Sequence, residues 1–225
     1  MTDIQRKSFE TPVHGTYLLR RPVATDTPEL PVALVGFHGY GETATEMMQA
    51  MERIPGSERW FLCSVQALHP FYRKTGEVVA SWMTGFDRDN AIHDNVRYVS
   101  AVVGTLRERH GIARFAYVGF SQGVAMAYRA AALGGHWSHA LVALAGDVPP
   151  DVAEAHPPNF PPVLIGRGSE ETWYTEDQLV SDVAKLEKMG VEARAAHFEG
   201  GHEWTEEFLT EAGTFLKQHL EPPSD

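Results

Sequence analysis

The chain has 225 residues, of which 43% are hydrophobic and 22% charged, a balance that excludes disordered, collagen-like and coiled-coil classes. Its Asp and Glu number 30 against 19 Lys and Arg, a net charge of −11 that repels phosphate backbones and anionic membrane surfaces, so general nucleic-acid binding is excluded too. The length predicts one domain over residues 1–225, with residues 1–12 and 221–225 as peripheral tails.

In chain order, Thr16 to Arg20 reads as an antiparallel edge strand. Val32-Ala33-Leu34-Val35-Gly36-Phe37 is apolar at both alternations, as in a strand buried on both faces. Trp60 to Val65, Phe115 to Val118, Ala140 to Leu144 and Val163 to Ile165 read the same way. Ala193 to Phe198 is a weaker strand that carries Arg194. Between the strands, Ile92, Val96, Val99, Val103 and Leu106 share one helix face, and Gly111 is a stop. Gln122 to Leu133 is alanine-rich and nearly uncharged, as suits a helix packed closely on a sheet. Leu179, Val183 and Leu186 mark a helix closed by Gly190. Trp204, Phe208, Phe215 and Leu216 mark a last one before Pro222-Pro223. Alternating strands and helices imply an α/β fold with a mostly parallel sheet.

The lone Cys63 excludes an internal disulfide and a cysteine-based zinc site. Its apolar run, Trp60 to Val65, predicts a small buried hydrophobe rather than a reactive thiol. No run approaches the ~18 apolar residues that span a bilayer. The start, Met1 to Lys7, lacks the apolar core of a signal peptide, so a cytoplasmic protein without membrane insertion is expected.

Gly119-Phe120-Ser121-Gln122-Gly123 follows a predicted strand and opens a predicted helix. That context gives G-x-S-x-G its meaning. The chain must turn sharply, the serine is strained at the tip, and its hydroxyl stands at a helix N-terminus that favours developing negative charge. Ser121 is the expected nucleophile. Phe37-His38-Gly39-Tyr40-Gly41-Glu42 follows an earlier strand and reaches the same carboxyl edge of the sheet. The amides of Tyr40 and Gln122 are the expected oxyanion donors, with His38 supporting the loop. The glycines match neither phosphate-loop pattern.

A serine hydroxyl needs a base. Among 11 histidines, His202 in Gly200-Gly201-His202-Glu203-Trp204 is placed by a flexible loop that begins the last helix. His197 is its rival, read as a packed core residue inside a strand. Position 206 is Glu206, so no H-E-x-x-H zinc helix follows His202. The third member should be a carboxylate between Ser121 and His202, just beyond a strand. Glu171 is favoured, with Glu170 and Asp147 as alternatives.

These residues resemble the phospholipase/carboxylesterase group of α/β-hydrolases, which includes acyl-protein thioesterases. The resemblance rests on His38-Gly39, Ser81-Trp82, Gly119-Phe120-Ser121-Gln122-Gly123 and Gly200-Gly201-His202-Glu203, and covers the chain roughly from Val32 to Leu220. It implies an α/β-hydrolase fold with helices on both faces of the sheet, and the same roles for Ser121, His202, Tyr40 and Gln122. Where the family carries aspartate in a G-x-x-D pattern, Gly168-Ser169-Glu170-Glu171 carries glutamate. The resemblance also implies that Trp82 lines an acyl pocket, with core packing as the alternative reading.

The connection from Ala145 to Pro162 is too short for a cap domain, so an open site is expected. Ala67 to Asn90 is the longest irregular stretch and holds Trp82 and Met83. Trp173 and Tyr174, just past Glu171, are expected either to form a further wall or to pack beneath the loop. An aromatic pocket without a basic cluster predicts small neutral esters, cleaved through an acyl-enzyme without metal or cofactor. Lysophospholipase and thioesterase chemistry use the same machinery. A non-catalytic small-molecule binder on this fold is the alternative of another class. The sequence leaves the oligomeric state open.

Overall fold

The computed structural model describes residues 4–24, 30–155 and 159–221. Pro222-Pro223 and part of the proline-rich connection before Pro162 lie outside them. The first half of the chain forms β1 (Tyr17–Arg20), β2 (Val32–Phe37), α1 (Ala44–Glu52), β3 (Phe61–Val65), β4 (His69–Tyr72), β5 (Val78–Ser81) and α2 (Arg88–His110). The second half forms β6 (Arg114–Phe120), α3 (Gln122–Leu133), β7 (Ala140–Leu144), α4 (Pro150–Ala155), β8 (Val163–Gly168), α5 (Glu176–Lys188), β9 (Ala193–Phe198) and α6 (Glu206–Leu220).

Seven strands make one sheet in the order β1-β3-β2-β6-β7-β8-β9. β1 pairs antiparallel with β3, and the other neighbours are parallel. Successive side chains of a strand face opposite sides, and the two cores follow that alternation. Val35, Phe37, Tyr117, Leu141 and Ile165 face a layer built by α2, α3 and α5. Leu34, Val118, Val142 and Leu164 face α1 and α6, through Met47, Met51, Phe208, Phe215 and Leu216. β2 and β7 are apolar at every position because each face meets helices. Gly111 and Gly190 end α2 and α5 in left-handed backbone, at φ of 64° and 75°.

Three features differ from the sequence expectation. Residues 67–90 are not irregular throughout, because β4 and β5 pair as an antiparallel hairpin. Pro70 within β4 weakens the strand signal. α1 went unread, although Thr43 and Glu46 form a capping box in which the Glu46 carboxylate accepts the Thr43 N–H at 2.7 Å. The last helix starts at Glu206, not at the His202 loop, because the Thr205 hydroxyl caps it by accepting the Phe208 N–H. Among the described residues no helix is long and apolar enough to cross a membrane.

Two glycines fix the turn between β6 and α3. A Cβ on Gly119 would stand 2.7 Å from the Gly123 carbonyl oxygen and the Val124 Cα. A Cβ on Gly123 would stand 2.6 Å from the His38 carbonyl oxygen and closer still to that of Phe37. The end of β2 therefore lies directly against the first turn of α3. Neither contact can yield, since both partners are backbone. Gly123→Ala should destabilise the fold by about 1–3 kcal/mol or more, read as a lower denaturant midpoint.

Candidate active site

Ser121 sits between β6 and α3 at φ 52°, ψ −121°, a strained conformation for a residue with a side chain. Its amide is held by the Leu144 carbonyl at 2.9 Å, and its carbonyl accepts from Val124. Half-buried, it lines a cavity of about 590 Å³ together with Tyr40, Gln122 and His202. Neither the Tyr40 nor the Gln122 amide meets an acceptor among the described residues. Both carry the positive end of a peptide dipole without a partner.

His202 is on the loop between β9 and α6. Its Nδ1 lies 2.5 Å from Glu171 Oε2, which leaves Nε2 as the ring nitrogen without a protein partner among the described residues. Its ring packs on Phe120, with centroids 4.9 Å apart, so the residue before Ser121 supports the imidazole. The backbone joins the two loops as well: Ser169 N–H donates to the Phe198 carbonyl and Glu170 N–H to that of Gly200.

Glu171 is almost wholly buried. Its Oε1 accepts the amides of Trp173 at 2.6 Å and Tyr174 at 3.3 Å. Burial alone would push its carboxyl up. The two amides and the His202 imidazole outweigh that and hold it below the usual carboxylate range. The alternatives are placed otherwise. Glu170 and Asp147 are both exposed, with no side-chain partner among the described residues. His197 is not a core residue. It is exposed on β9 and faces Glu176 at 3.1 Å.

Trp82 does not reach the cavity wall. It is fully buried, and its role lies beneath the site. Its indole N–H donates to the His38 carbonyl at 2.9 Å, and its backbone N–H donates to Gln122 Oε1 at 2.9 Å. Trp82 thus ties the Tyr40 loop to the start of α3. Gln122 Nε2 donates to the Met83 carbonyl at 2.9 Å, which explains a glutamine after the serine. Met83 and Trp173 do line the cavity. His38 is buried against Trp82, and its Nε2 accepts the Ala67 amide at 3.1 Å. Burial pushes its imidazole pKa down.

Several contributors went unread in the sequence. Glu42 is a half-buried carboxylate that accepts the Gly39 N–H at 2.7 Å and steadies the Tyr40 loop. Burial raises its carboxyl pKa, and the His202 charge acts against that. Arg73, at the end of β4, donates to the Gly41 carbonyl, and Tyr40 stacks on Phe71 at 5.3 Å. The hairpin therefore braces the loop. Arg88 and Arg129 also line the cavity, which bears on the expectation of a pocket without a basic cluster. Asp182, buried on α5, accepts the Val148 amide at 2.9 Å, the Tyr174 hydroxyl at 3.1 Å and Lys185 Nζ at 2.7 Å. It joins the segment bearing Glu171 to the loop beyond β7. No sequence motif relates it to Val148, which lies 34 residues away in the chain. Among the described residues no group of three or more His, Cys, Asp or Glu side chains is placed to hold a metal.

A strained serine between strand and helix, a histidine paired with a buried carboxylate, and a sheet of this order define an α/β-hydrolase. Residues 23–220 match the family described as Phospholipase/Carboxylesterase, and the chain belongs to that family of esterase-type hydrolases. No curated protein matches the sequence. Similar solved structures include esterase PE8, at 23% identity and TM-score 0.73, covering 92% of this chain and 100% of that one. Acyl-protein thioesterase 2 of Zea mays is similar at 19% identity and TM-score 0.68, covering 92% and 100%. The carboxylesterase of Bacillus cereus is similar at 14% identity and TM-score 0.68, covering 91% and 94%. At these identities the likeness is one of fold.

Asp182→Ala should leave the Val148 N–H and the Tyr174 hydroxyl unpaired. Each orphaned group costs about 1–3 kcal/mol, to be read from denaturant unfolding at neutral pH.

Proposed function

We propose that the protein is a serine carboxylesterase that hydrolyses short- to medium-chain esters through an acyl-enzyme on Ser121. The observation that carries this is one cavity lined by Ser121, His202 and the Tyr40 and Gln122 residues, with buried Glu171 held on His202 Nδ1. Ser121 Oγ attacks the ester carbonyl while His202 takes its proton. The oxyanion is stabilised by the Tyr40 and Gln122 N–H groups, each worth about 10²–10³ in rate. Collapse expels the alkoxide, which takes the proton from His202 and leaves as alcohol. Water then attacks the acyl carbon as His202 takes its proton, and His202 returns that proton to Ser121 Oγ as the acyl–oxygen bond breaks and the acid departs. Glu171 orients the imidazole and stabilises its charged form without itself taking the proton.

A cavity of about 590 Å³ accommodates a small ester. Only the short α4 stands between β7 and β8 among the described residues, so no cap domain covers the cavity. The wall combines apolar Met83, Ala125 and Trp173 with polar Gln178 and charged Arg88 and Asp147.

Ser121→Ala should lower kcat by on the order of 10⁶ and abolish covalent labelling by a fluorophosphonate. Labelling without turnover of any ester, thioester or lysophospholipid in a panel graded by chain length would overturn the esterase reading. Among Glu171→Ala, Glu170→Ala and Asp147→Ala, the largest loss should fall on Glu171→Ala, on the order of 10⁴ in kcat. An equal loss in Glu170→Ala would remove Glu171 from its role.

A further inference from the structure

Two arginines of the cavity have no part in the acyl transfer. Arg88, the first residue of α2, is exposed on the wall and makes no ion pair or hydrogen bond among the described residues. Arg129, on α3, is fully buried. Asp151 engages its Nε and Nη2, each at 2.8 Å. Its Nη1 meets only the thioether sulfur of Met83, at 3.5 Å. A guanidinium has five N–H donors, and a thioether is a weak acceptor. Part of a buried guanidinium therefore lacks an oxygen partner on the wall of the cavity that holds Ser121. Buried donors in that state are uncommon and costly.

The acids nearby do not absorb this surplus. Asp151 is committed to Arg129, whose hydrogen bond holds its carboxyl below the usual range, with Arg88 acting in the same direction. Asp147 is exposed, and its charge bears on the Tyr128 and Tyr174 phenols. In a protein of net charge −11, the charged residues that line this cavity are Arg88, Arg129 and Asp147, and Arg129 is paired with Asp151.

We propose that the preferred substrate is an ester that carries a second group, a carboxylate, bound by the exposed and unpaired Arg88 on the cavity wall. This rests on the esterase reading of Ser121. Guanidinium matches carboxylate in shape and charge and pairs with it through two parallel hydrogen bonds. An ester bearing an ammonium group would be repelled from the same place. Arg88 is then a specificity residue, outside the acyl-transfer steps.

The test compares kcat/KM within two matched pairs. For the acyl half, the para-nitrophenyl monoester of glutarate is set against para-nitrophenyl pentanoate. For the alcohol half, para-carboxyphenyl butanoate is set against para-carbamoylphenyl butanoate. The anionic member of one pair should be favoured by about tenfold or more. That pair also identifies the half of the ester that lies against Arg88. In Arg88→Gln the ratio should fall to about one, through KM more than kcat, and Arg88→Lys should keep part of it. Equal rates within both pairs, or a preference that survives Arg88→Gln, would overturn the proposal. Hydrolysis of none of the four esters would sink the esterase reading instead. Calorimetric titration of free glutarate then decides the carboxylate site. Binding to the wild type that is lost in Arg88→Gln supports it, and no binding to the wild type rejects it.

Discussion

The rest of the site depends on one steric constraint, the backbone of β2 pressed against the backbone of α3. With no side chain at Gly123, the Phe37 and His38 carbonyls reach the first turn of that helix. The residues just beyond each contact, Tyr40 on one side and Gln122 on the other, then border the same cavity. Trp82 secures the approach by bonding to both segments at once. The strained serine is the outcome of this packing, held in place by Leu144 and Val124 rather than by its own preference.

The electrostatics follow the same economy. A carboxylate taken out of water is costly unless it is fully bonded. Glu171 meets two amides and an imidazole, and Asp182 meets an amide, a phenol and an ammonium group. Tyr174 links the two, since its amide serves Glu171 and its hydroxyl serves Asp182. The orientation of His202 is thereby referred back to α5, an element that does not touch the imidazole.

Much of this was readable from the chain alone. Strands buried on both faces announce themselves as unbroken apolar runs, and the serine turn has a short, local pattern. His202 stood out through its paired glycines. The rest depends on partners far apart in sequence. Trp82 could be read as a pocket aromatic or as a core residue, and only packing shows that its indole N–H donates to the His38 carbonyl. Choosing among Glu171, Glu170 and Asp147 required burial, because all three follow a strand. The hairpin of β4 and β5 was obscured by Pro70 and by the charged residues Arg73 and Lys74. The two arginines were hidden for another reason: Arg129 lies in an alanine-rich helix, and Arg88 at the end of a loop, so no spacing relates them.

The solitary Cys63 has a practical consequence. It lies between sheet and helices without measurable exposure, and burial pushes its thiol pKa up to about 12. A thiol in that state is inert toward alkylating reagents in neutral solution. A cysteine introduced at the rim, for instance in place of the exposed Trp173, would be the molecule's single reactive sulfur. The native chain is therefore a ready host for a spectroscopic probe beside the cavity mouth, with no prior removal of competing thiols.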